Sequence, residues 1–409
     1  MIIFFRKFPN NMFSVPVLLY SLESIIPDIQ FRYFSGIDEL AESVLSNNQT
    51  FFICYSFMTT EAEKVYYEVN EIRKKLIHKK YFILGGGSHL NGDSTNYFGF
   101  DYIFTGYCEE SFPYFLDDLL NNSSEYLNKK YLLEYKTVFS VCQPDLNNSF
   151  PITKFINIFP PLEIMRGCRW KCDFCQTGAL NKNNIQMRSL ESVEKYLLYL
   201  RKSNFKRINF ISPNAFEYNI SDNSSFNSIE SLLLLCSKLG FIYIEYGIFP
   251  SEVRPESITD DSVLMIKKYC KNKKITIGAQ SGNNKMLKLI NRTHTTQDIL
   301  NAAEIIYKNN LIPKIDFILG FPDETNEDRK DLFDLIVVLA GKFKAQIHMH
   351  YFIPLSGTSF YYKNPTPIDN DTHKKLIKMT GDGIISDWWK NGIKLSRQTV
   401  KFRDFLRNI

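Results

Sequence analysis

The sequence predicts an α/β protein with an N-terminal doubly wound parallel sheet, then a partial (β/α)6 barrel and a mainly helical C-terminal tail. Three observations support this prediction. Short apolar runs alternate with amphipathic helical stretches in the first 122 residues, the same alternation resumes after Pro160, and the residues beyond 360 have helical patterns only. Strands that alternate with helices form parallel sheets, because each helix returns the chain to the same edge. We expect domains at 1–122 and 159–360, a linker at 123–158 and an extension at 361–409.

The bulk composition indicates a globular protein whose function depends on specific sites. The 409 residues are 44% hydrophobic and 23% charged, enough for two compact domains. The net charge of +5 is a small excess of 49 basic over 44 acidic residues, too diluted to indicate a nucleic-acid partner. The opening apolar segment ends at Arg6 and Lys7, and every later apolar run is too short to span a membrane. We therefore expect a cytoplasmic protein with no membrane partner.

The first domain alternates four candidate strands with helical stretches. The strands are the apolar runs at 2–5, 51–57, 81–86 and 101–106. Glycine turns follow the last two of them, at the carboxyl edge where doubly wound sheets bind ligands. The polar linker contains one strand pair, LLEYKTVFSV.

The second half contains six candidate β/α units, fewer than the eight of a closed barrel. The strands are PLEIMRG, RINFIS, FIYIEYGI, KITIGAQ, KIDFILGF and QIHMHYFI. A partial, open barrel is the simplest interpretation. We expect the tail to pack across one barrel mouth, with Trp388 and Trp389 serving packing.

Three of the eight cysteines form a tight group with the spacing C-x3-C-x2-C: Cys168, Cys172 and Cys175. Three thiolates bind three irons of a [4Fe-4S] cluster and leave the fourth iron open. An open iron is chelated by the amino and carboxylate groups of S-adenosylmethionine (SAM), and one-electron reduction then yields methionine and a 5′-deoxyadenosyl radical. A zinc site is the alternative, but no nearby Cys or His supplies a fourth ligand. The other five cysteines are expected to be small buried residues.

At this motif the sequence resembles the radical SAM superfamily, whose cysteine loop has an aromatic residue before the third cysteine, here Phe174. The resemblance covers roughly residues 160–360. It implies that SAM is contacted at the ends of successive strands, by Ser212, Asn214, Ser251, Arg254, Gln280 and Ile318. Ser212-Pro213-Asn214 departs from the usual Gly-Glu, and Gln280 stands where many relatives have Glu. Ordinary turn chemistry is the alternative explanation for the polar residues.

The N-terminal domain resembles the cobalamin-binding domain that precedes some radical SAM domains. The family pattern of glycine turns implies cobalamin contacts at Gly86, His89, Gly106 and Glu109. The loop that usually supplies an axial His to cobalt is absent, because the first strand is followed by KFPNN. Such a domain can instead only support the barrel or gate substrate, and a lone His in a glycine turn is as often a surface residue.

Three functions remain open at this stage. The first is cobalamin-dependent methyl transfer, which fits the sequence PLSGT at 354–358, a motif that resembles one in the cobalamin-dependent and methylthiotransferase branch. The second is methylthiotransfer, disfavoured because Cys54, Cys108 and Cys142 do not form a second ligand set. The third is a non-catalytic protein that senses iron or SAM. The first two require an electron donor such as flavodoxin or ferredoxin.

The substrate and the catalytic acid and base are not assigned by the sequence. His348 and His350 alternate along the sixth strand, so both point to one face and are candidates for proton relays. A satisfied core pair is the alternative. Asp316 and Tyr351 are similar cases.

Overall fold

The computed structural model describes residues 1–45, 50–95, 98–121, 130–156, 161–181, 184–219 and 226–408. The chain forms two compact units. The first contains Met1–Pro160 together with Leu355–Thr358 and Gln398–Ile409, and the second contains Pro161–Pro354 and Ser359–Arg397. The predicted α/β class is confirmed, with a parallel sheet in the first unit, a partial barrel in the second and a helical C-terminus.

The first unit is built on a seven-stranded sheet. In chain order its strands are β1 Ile2–Arg6, β2 Gln30–Phe34, β3 Phe51–Ser56, β4 Tyr81–Gly86, β5 Tyr102–Thr105, β6 Tyr131–Glu134 and β7 Thr137–Ser140. The order across the sheet is β2-β1-β3-β4-β5-β7-β6, and every pair is parallel except β6 with β7. The apolar runs β1 and β3 are buried on both faces, as expected of central parallel strands.

Five helices cover this sheet: α1 Ser14–Ile25, α2 Ile37–Leu45, α3 Ala62–Lys75, α4 Ser88–Gly92 and α5 Ser111–Leu120. Two hydrophobic cores lie on its two faces. One includes Phe57, Val65 and Phe98, and the other includes Leu19, Phe112 and Phe115.

Two features of the first unit differ from the sequence analysis. Strand β2 is absent from the predicted strands, because its residues QFRYF are half-exposed at the sheet edge and lack a continuous apolar run. The predicted strand pair in the linker does form, as β6 and β7. It pairs with β5 and so extends the sheet.

The second unit contains eight further strands. They are β8 Leu162–Glu163, β9 Met165–Arg166, β10 Gln186–Met187, β11 Arg207–Ile211, β12 Tyr243–Glu245, β13 Lys274–Gln280, β14 Ile312–Leu319 and β15 Gln346–Tyr351. Six of them form two parallel sheets, β8-β11-β12 and β13-β14-β15. The segment after β12 joins the sheets, because Val253 bridges to Ile277 and Thr276 donates to the Gly247 carbonyl at 2.9 Å. The result is the open six-stranded barrel that the sequence predicts.

The helices of this unit are α6 Gln176–Leu180, α7 Leu190–Lys202, α8 Asn227–Lys238, α9 Asp260–Tyr269, α10 Asn284–Leu289, α11 Thr296–Lys308, α12 Asn326–Phe343, α13 Asn370–Gly381 and α14 Trp388–Leu406, the last of which extends into the first unit. Threonine N-caps precede α9, α11 and α12, and each accepts a hydrogen bond from the third residue of its helix. These caps fix where the chain leaves each strand and begins the next helix.

The C-terminal tail pairs with β15 at the edge of the barrel sheet. Ile385 bridges to Ile347, and the Ser386 backbone N–H donates to the Ile347 carbonyl at 2.9 Å. Trp389 is buried and donates to Thr380 Oγ1 at 3.1 Å, while Trp388 is 59% exposed. Within the described ranges, no helix is both long and apolar enough to cross a bilayer.

Candidate active site

The three predicted cluster cysteines lie on one loop between β9 and α6. The Cys175 backbone N–H donates to the Cys172 carbonyl at 3.0 Å, which makes a turn between the second and third thiols. The Asn291 side chain donates to the Lys171 carbonyl at 2.7 Å, and the Asp173 N–H donates to the Ile290 carbonyl at 3.2 Å. The loop conformation is therefore held by the residues that follow α10.

A glycine in α6 lets the loop pack closely on this helix. A Cβ atom at Gly178 would overlap the carbonyl oxygen of Trp170, a backbone atom that cannot move without moving the loop. A side chain at this position is therefore incompatible with the present path of the chain between Cys168 and Cys172.

The thiols offer a ligand set that suits an iron-sulfur cluster better than a structural zinc ion. All three are free, and Cys172 is buried while Cys168 and Cys175 are partly exposed. Three thiolates bind three irons of a [4Fe-4S] cluster, whereas a structural zinc site takes four protein ligands.

Two guanidinium groups approach the buried Cys172 sulfur. Arg292 Nη1 lies 3.5 Å from Sγ and Arg254 Nη1 lies 4.0 Å from it. Positive charge near thiolates and near an anionic cluster stabilises the deprotonated ligand. In the chain alone, burial raises the pKa of the Cys168 thiol to about 11. Iron would bind the thiolate form at this position.

Arg254, which the sequence predicts to bind a carboxylate, is held rigidly beside the cysteine loop. It donates from Nε to Glu256 at 2.6 Å and from Nη2 to Thr293 at 2.8 Å, and its guanidinium stacks 4.0 Å from the Trp170 ring centre. Trp170 is itself fixed by a 2.7 Å hydrogen bond from Nε1 to Glu217. The guanidinium is therefore fixed beside the Cys172 sulfur, which lies 4.0 Å from Nη1.

The structure brings Ser212, Asn214 and Ser251 together with Arg254 behind the loop. Asn214 Oδ1 accepts from the Arg254 backbone N–H at 3.3 Å, and the Ser212 N–H donates to the Pro250 carbonyl at 3.4 Å. All three side chains are buried, and the hydroxyl groups of Ser212 and Ser251 donate to backbone carbonyls. Their roles toward SAM stay predictions, since these contacts are also those of ordinary turns.

The remaining residues predicted to contact SAM are Gln280, Ile318 and Phe174, the last of which belongs to the cysteine loop. Gln280 ends β13 with φ of 71°. Ile318 and Phe174 pack against a hydrophobic cluster around Phe321, whose ring centre is 5.4 Å from that of Phe174. This apolar wall is suited to the flat face of an adenine ring.

Sequence reasoning missed Arg292 and His294, which lie on the loop after α10. His294 Nε2 lies 3.0 Å from the Ala279 carbonyl, and burial together with the Arg292 and Arg254 charges lowers its pKa to about 3. It is a neutral imidazole in the folded protein. No motif marks either residue, since a single basic residue in a turn is common.

The barrel interior contains a further polar group. Asp316 on β14 faces His348 and His350 on β15 and is hydrogen-bonded to Glu252, whose pKa is raised by burial and by the Asp316 charge. Tyr351, the fourth candidate of the sequence analysis, points away from this face and donates to the Thr366 carbonyl at 2.9 Å.

The residues predicted to bind cobalamin lie in the first unit. His89 is not a surface residue: it is 1% exposed, with ring contacts to Phe57 and Phe98 at 5.6 and 5.7 Å. Burial lowers its pKa to about 4. Its Nδ1 lies 3.4 Å from Thr59 Oγ1, and Nε2 has no partner among the described residues.

The glycines next to His89 are explained by contacts of the chain with itself. Gly87, with φ of 98°, has no room for a Cβ because the Phe57 backbone fills that space. Gly106 donates its N–H to Asn91 at 2.8 Å, and Glu109 borders a separate small pocket with α1 and α5. The assignment of Gly86, His89, Gly106 and Glu109 to cobalamin stays a prediction.

Comparisons with known proteins agree with the site in the second unit. Residues 162–336 match the model of the radical SAM superfamily. The chain is 30% identical over 177 residues to the ribosomal protein uS12 methylthiotransferase RimO of Thermosipho africanus, which covers 43% of this chain and 40% of that protein. It is 24% identical over 377 residues to a tRNA-2-methylthio-N(6)-dimethylallyladenosine synthase of Ehrlichia ruminantium, covering 88% of this chain and 77% of the relative. The alignment with RimO thus spans about two fifths of that relative.

Solved structures share the fold over most of the chain. The radical SAM methyltransferase TsrM from Kitasatospora setae has a TM-score of 0.65 at 12% identity and covers 88% of this chain and 75% of TsrM. The cobalamin-dependent radical SAM enzyme OxsB has a TM-score of 0.60 at 14% identity. The match covers 94% of this chain and 56% of OxsB. At such identities the likeness concerns the fold alone. Together with the cysteine loop, the matching sequence model shows that residues 162–336 form a radical SAM domain.

Proposed function

We propose that this chain reductively cleaves SAM at a [4Fe-4S] cluster held by Cys168, Cys172 and Cys175, and that the radical acts on a substrate in the barrel. The observation that carries the proposal is the pair of guanidinium groups on the Cys172 sulfur. A structural thiol loop has no need of two guanidinium groups at one sulfur, one of them buried, whereas a redox cluster with an anionic ligand does. When bound, the cluster supplies the electron that breaks the sulfonium bond of SAM.

The residues of the chain have distinct roles in this proposal. Arg254 binds the SAM carboxylate, because its planar fork donates two parallel hydrogen bonds and is held in place by Glu256 and Trp170. Phe174 and Ile318 exclude water on the adenine side. Arg292 orients Cys172 and balances the charge of the ligand.

The test is an anaerobic reaction of the reconstituted protein with dithionite and SAM. We expect 5′-deoxyadenosine and methionine to form in equal amounts, as measured by chromatography and mass spectrometry. Absence of 5′-deoxyadenosine from a protein that contains its full iron and sulfide would overturn the proposal.

For the class of reaction, we propose methyl transfer that depends on cobalamin. The support is the fold shared with TsrM and OxsB across most of the chain, together with the sequence pattern of the N-terminal domain. Gel filtration of the protein with hydroxocobalamin tests the proposal: a stoichiometric complex supports it, and elution of free cobalamin contradicts it.

Methylthiotransfer is the second candidate, because the curated relatives are methylthiotransferases. The structure gives one observation against it: Cys54 lies in a hydrophobic core and Cys142 is exposed, so the N-terminal cysteines do not resemble a ligand set. A product whose mass rises by a methylthio group rather than a methyl group would favour this candidate.

A further inference from the structure

The polar group in the barrel interior is formed by two neighbouring strands. In the parallel pairing of β14 with β15, Asp316 lies opposite His348 and Ile318 lies opposite His350. Side chains alternate along a strand, so Asp316, Ile318 and both histidines share the inner face. The intervening residues Phe317 and Met349 are fully buried on the other face. The group is therefore on the same wall as Ile318, which the sequence predicts to contact SAM.

Three of these side chains are close enough to bind one metal ion. Asp316 and the two histidines each offer one ligand atom, and these atoms all lie within 4.8 Å of one another. His348 Nδ1 is 3.3 Å from Asp316 Oδ1, and the two imidazole rings are 4.2 Å apart. Glu252 adds a second carboxyl group, hydrogen-bonded to Asp316.

The carboxylate of Asp316 has one oxygen without a hydrogen-bond partner. It is 5% exposed, and its Oδ1 has no partner in hydrogen-bond geometry among the described residues. Its ion pair is with His348, which is charged only when protonated. Lys314, two residues before Asp316 on β14, and Arg292 are permanent cations whose charges act on this group, and Arg292 also contacts Cys172 and the Gly278 carbonyl. A buried carboxylate oxygen without a hydrogen-bond partner is costly, and a bound metal ion would remove that cost.

We propose that Asp316, His348 and His350 bind a divalent first-row transition metal ion. Two imidazoles and one carboxylate are the donor set of zinc and non-haem iron sites that keep open positions. This metal is separate from the cluster, because no cysteine contributes to it. A Ca²⁺ or Mg²⁺ site is disfavoured, since those ions prefer oxygen ligands.

The location suggests what the metal does, and this step rests on the proposed function. An open position on the metal would take an oxygen or nitrogen atom of the substrate and hold it on the wall that carries Ile318. The substrate class is therefore one with a carboxylate, hydroxyl or amine donor next to the carbon that reacts. A purely hydrocarbon substrate would have no use for this site.

The test uses Co²⁺, which reports an N/O ligand set by visible absorption. The full chain with its cluster cysteines replaced (C168A/C172A/C175A) is freed of metal by chelation and titrated with Co²⁺ without SAM or reductant. We expect one Co²⁺ per chain, by absorption and by elemental analysis. In the same background, His350→Gln should weaken binding at least about 10-fold, while the exposed His373→Gln should leave it unchanged.

Two outcomes would overturn the proposal. One is the absence of a stoichiometric Co²⁺ site in a variant that retains the wild-type circular dichroism spectrum. The other is binding that His350→Gln does not weaken, and either result would leave the group as a hydrogen-bonded proton relay. If the triple variant does not fold, zinc is counted by elemental analysis in the reconstituted wild type and in its His350→Gln variant. Neither measurement depends on SAM cleavage, so failure here is distinct from failure of the proposed function.

Discussion

The chain has two parallel-sheet edges with glycine turns and polar residues, and the two edges are built differently. At the edge of the second unit, the buried Arg254 and the half-buried Arg292 both contact a free thiol. At the edge of the first unit, His89 is enclosed by Phe57 and Phe98, and the turn glycine is required by the chain itself. The edge of the second unit thus directs positive charge at a free thiol, whereas the edge of the first unit is filled by its own side chains. A shared fold does not by itself transfer a cofactor.

The largest effect is expected for Cys172→Ala. Loss of this ligand removes one of three attachments of the cluster and leaves two arginines facing an empty space. We expect 5′-deoxyadenosine formation to fall to background, measured after anaerobic reconstitution. The matched control is Cys142→Ser, an exposed cysteine in the first unit, which should retain wild-type activity. Equal activity of Cys172→Ala and wild type would refute the cluster assignment.

Arg292→Gln tests whether the charge on the Cys172 sulfur is functional. The variant loses the 3.5 Å contact but keeps a hydrogen-bonding side chain. We expect SAM cleavage to fall about 10- to 100-fold, the usual cost of losing an outer partner of a metal ligand. The reduction potential of the cluster should fall as well, because a nearby positive charge favours the reduced form. An unchanged potential would mean that Arg292 serves only the fold.

Gly178→Ala tests the close packing of α6 on the cysteine loop. The added Cβ meets the Trp170 carbonyl, so we expect a loss of about 1–3 kcal/mol in the free energy of unfolding. Iron content should fall with it. Gly341→Ala is the control, since this glycine of α12 has open space around its Cβ position. The free energy of unfolding of this control should rise by about 0.5–1 kcal/mol, because Ala has a higher helix propensity than Gly. Equal melting temperatures of the two variants would contradict the packing argument.

His89→Leu tests the sheet edge of the first unit. Of the substitutions considered, we expect this one to have the smallest effect on SAM cleavage. The pKa of His89 is about 4 in the folded protein and 6.5 ordinarily, so the unfolded chain binds a proton more readily. Stability from this residue is therefore complete above pH 6.5 and is lost as the pH falls toward 4. From pH 7 to pH 5 the wild type should lose about 2 kcal/mol more than His89→Leu. Denaturant unfolding at the two pH values measures the difference.

An unequal pH response with unchanged activity would confirm that His89 is a packing residue. If instead His89→Leu lost cobalamin binding or activity while keeping its stability, the contrast between the two edges would be wrong. In that case the Nε2 atom of His89, which has no hydrogen-bond partner among the described residues, would be the candidate for contact with cobalamin.

The sequence predicts local features of this protein better than contacts between distant segments. The cysteine loop was found because its ligands lie within eight residues, and the strands because central parallel strands are continuous apolar runs. Arg292 was missed because its contact with Cys172 spans 120 residues. The burial of His89 depends on aromatic rings from two other segments, and strand β2 was missed because its edge position leaves half of its side chains exposed.

The register in which two strands pair is also not predicted by the sequence. The alternation in QIHMHY predicts that His348 and His350 share a face. It does not predict that β15 pairs with β14 in the register that sets Asp316 against His348. The metal site we propose is a consequence of that register.

The central claim is a cluster with one iron open to SAM, and electron paramagnetic resonance tests it most directly. The reconstituted protein is reduced with dithionite, and its spectrum is recorded at low temperature before and after SAM is added. The account predicts a [4Fe-4S]⁺ signal whose g values shift on addition of SAM, and no such signal from Cys172→Ala. A cluster signal that SAM leaves unchanged in the wild type would contradict it.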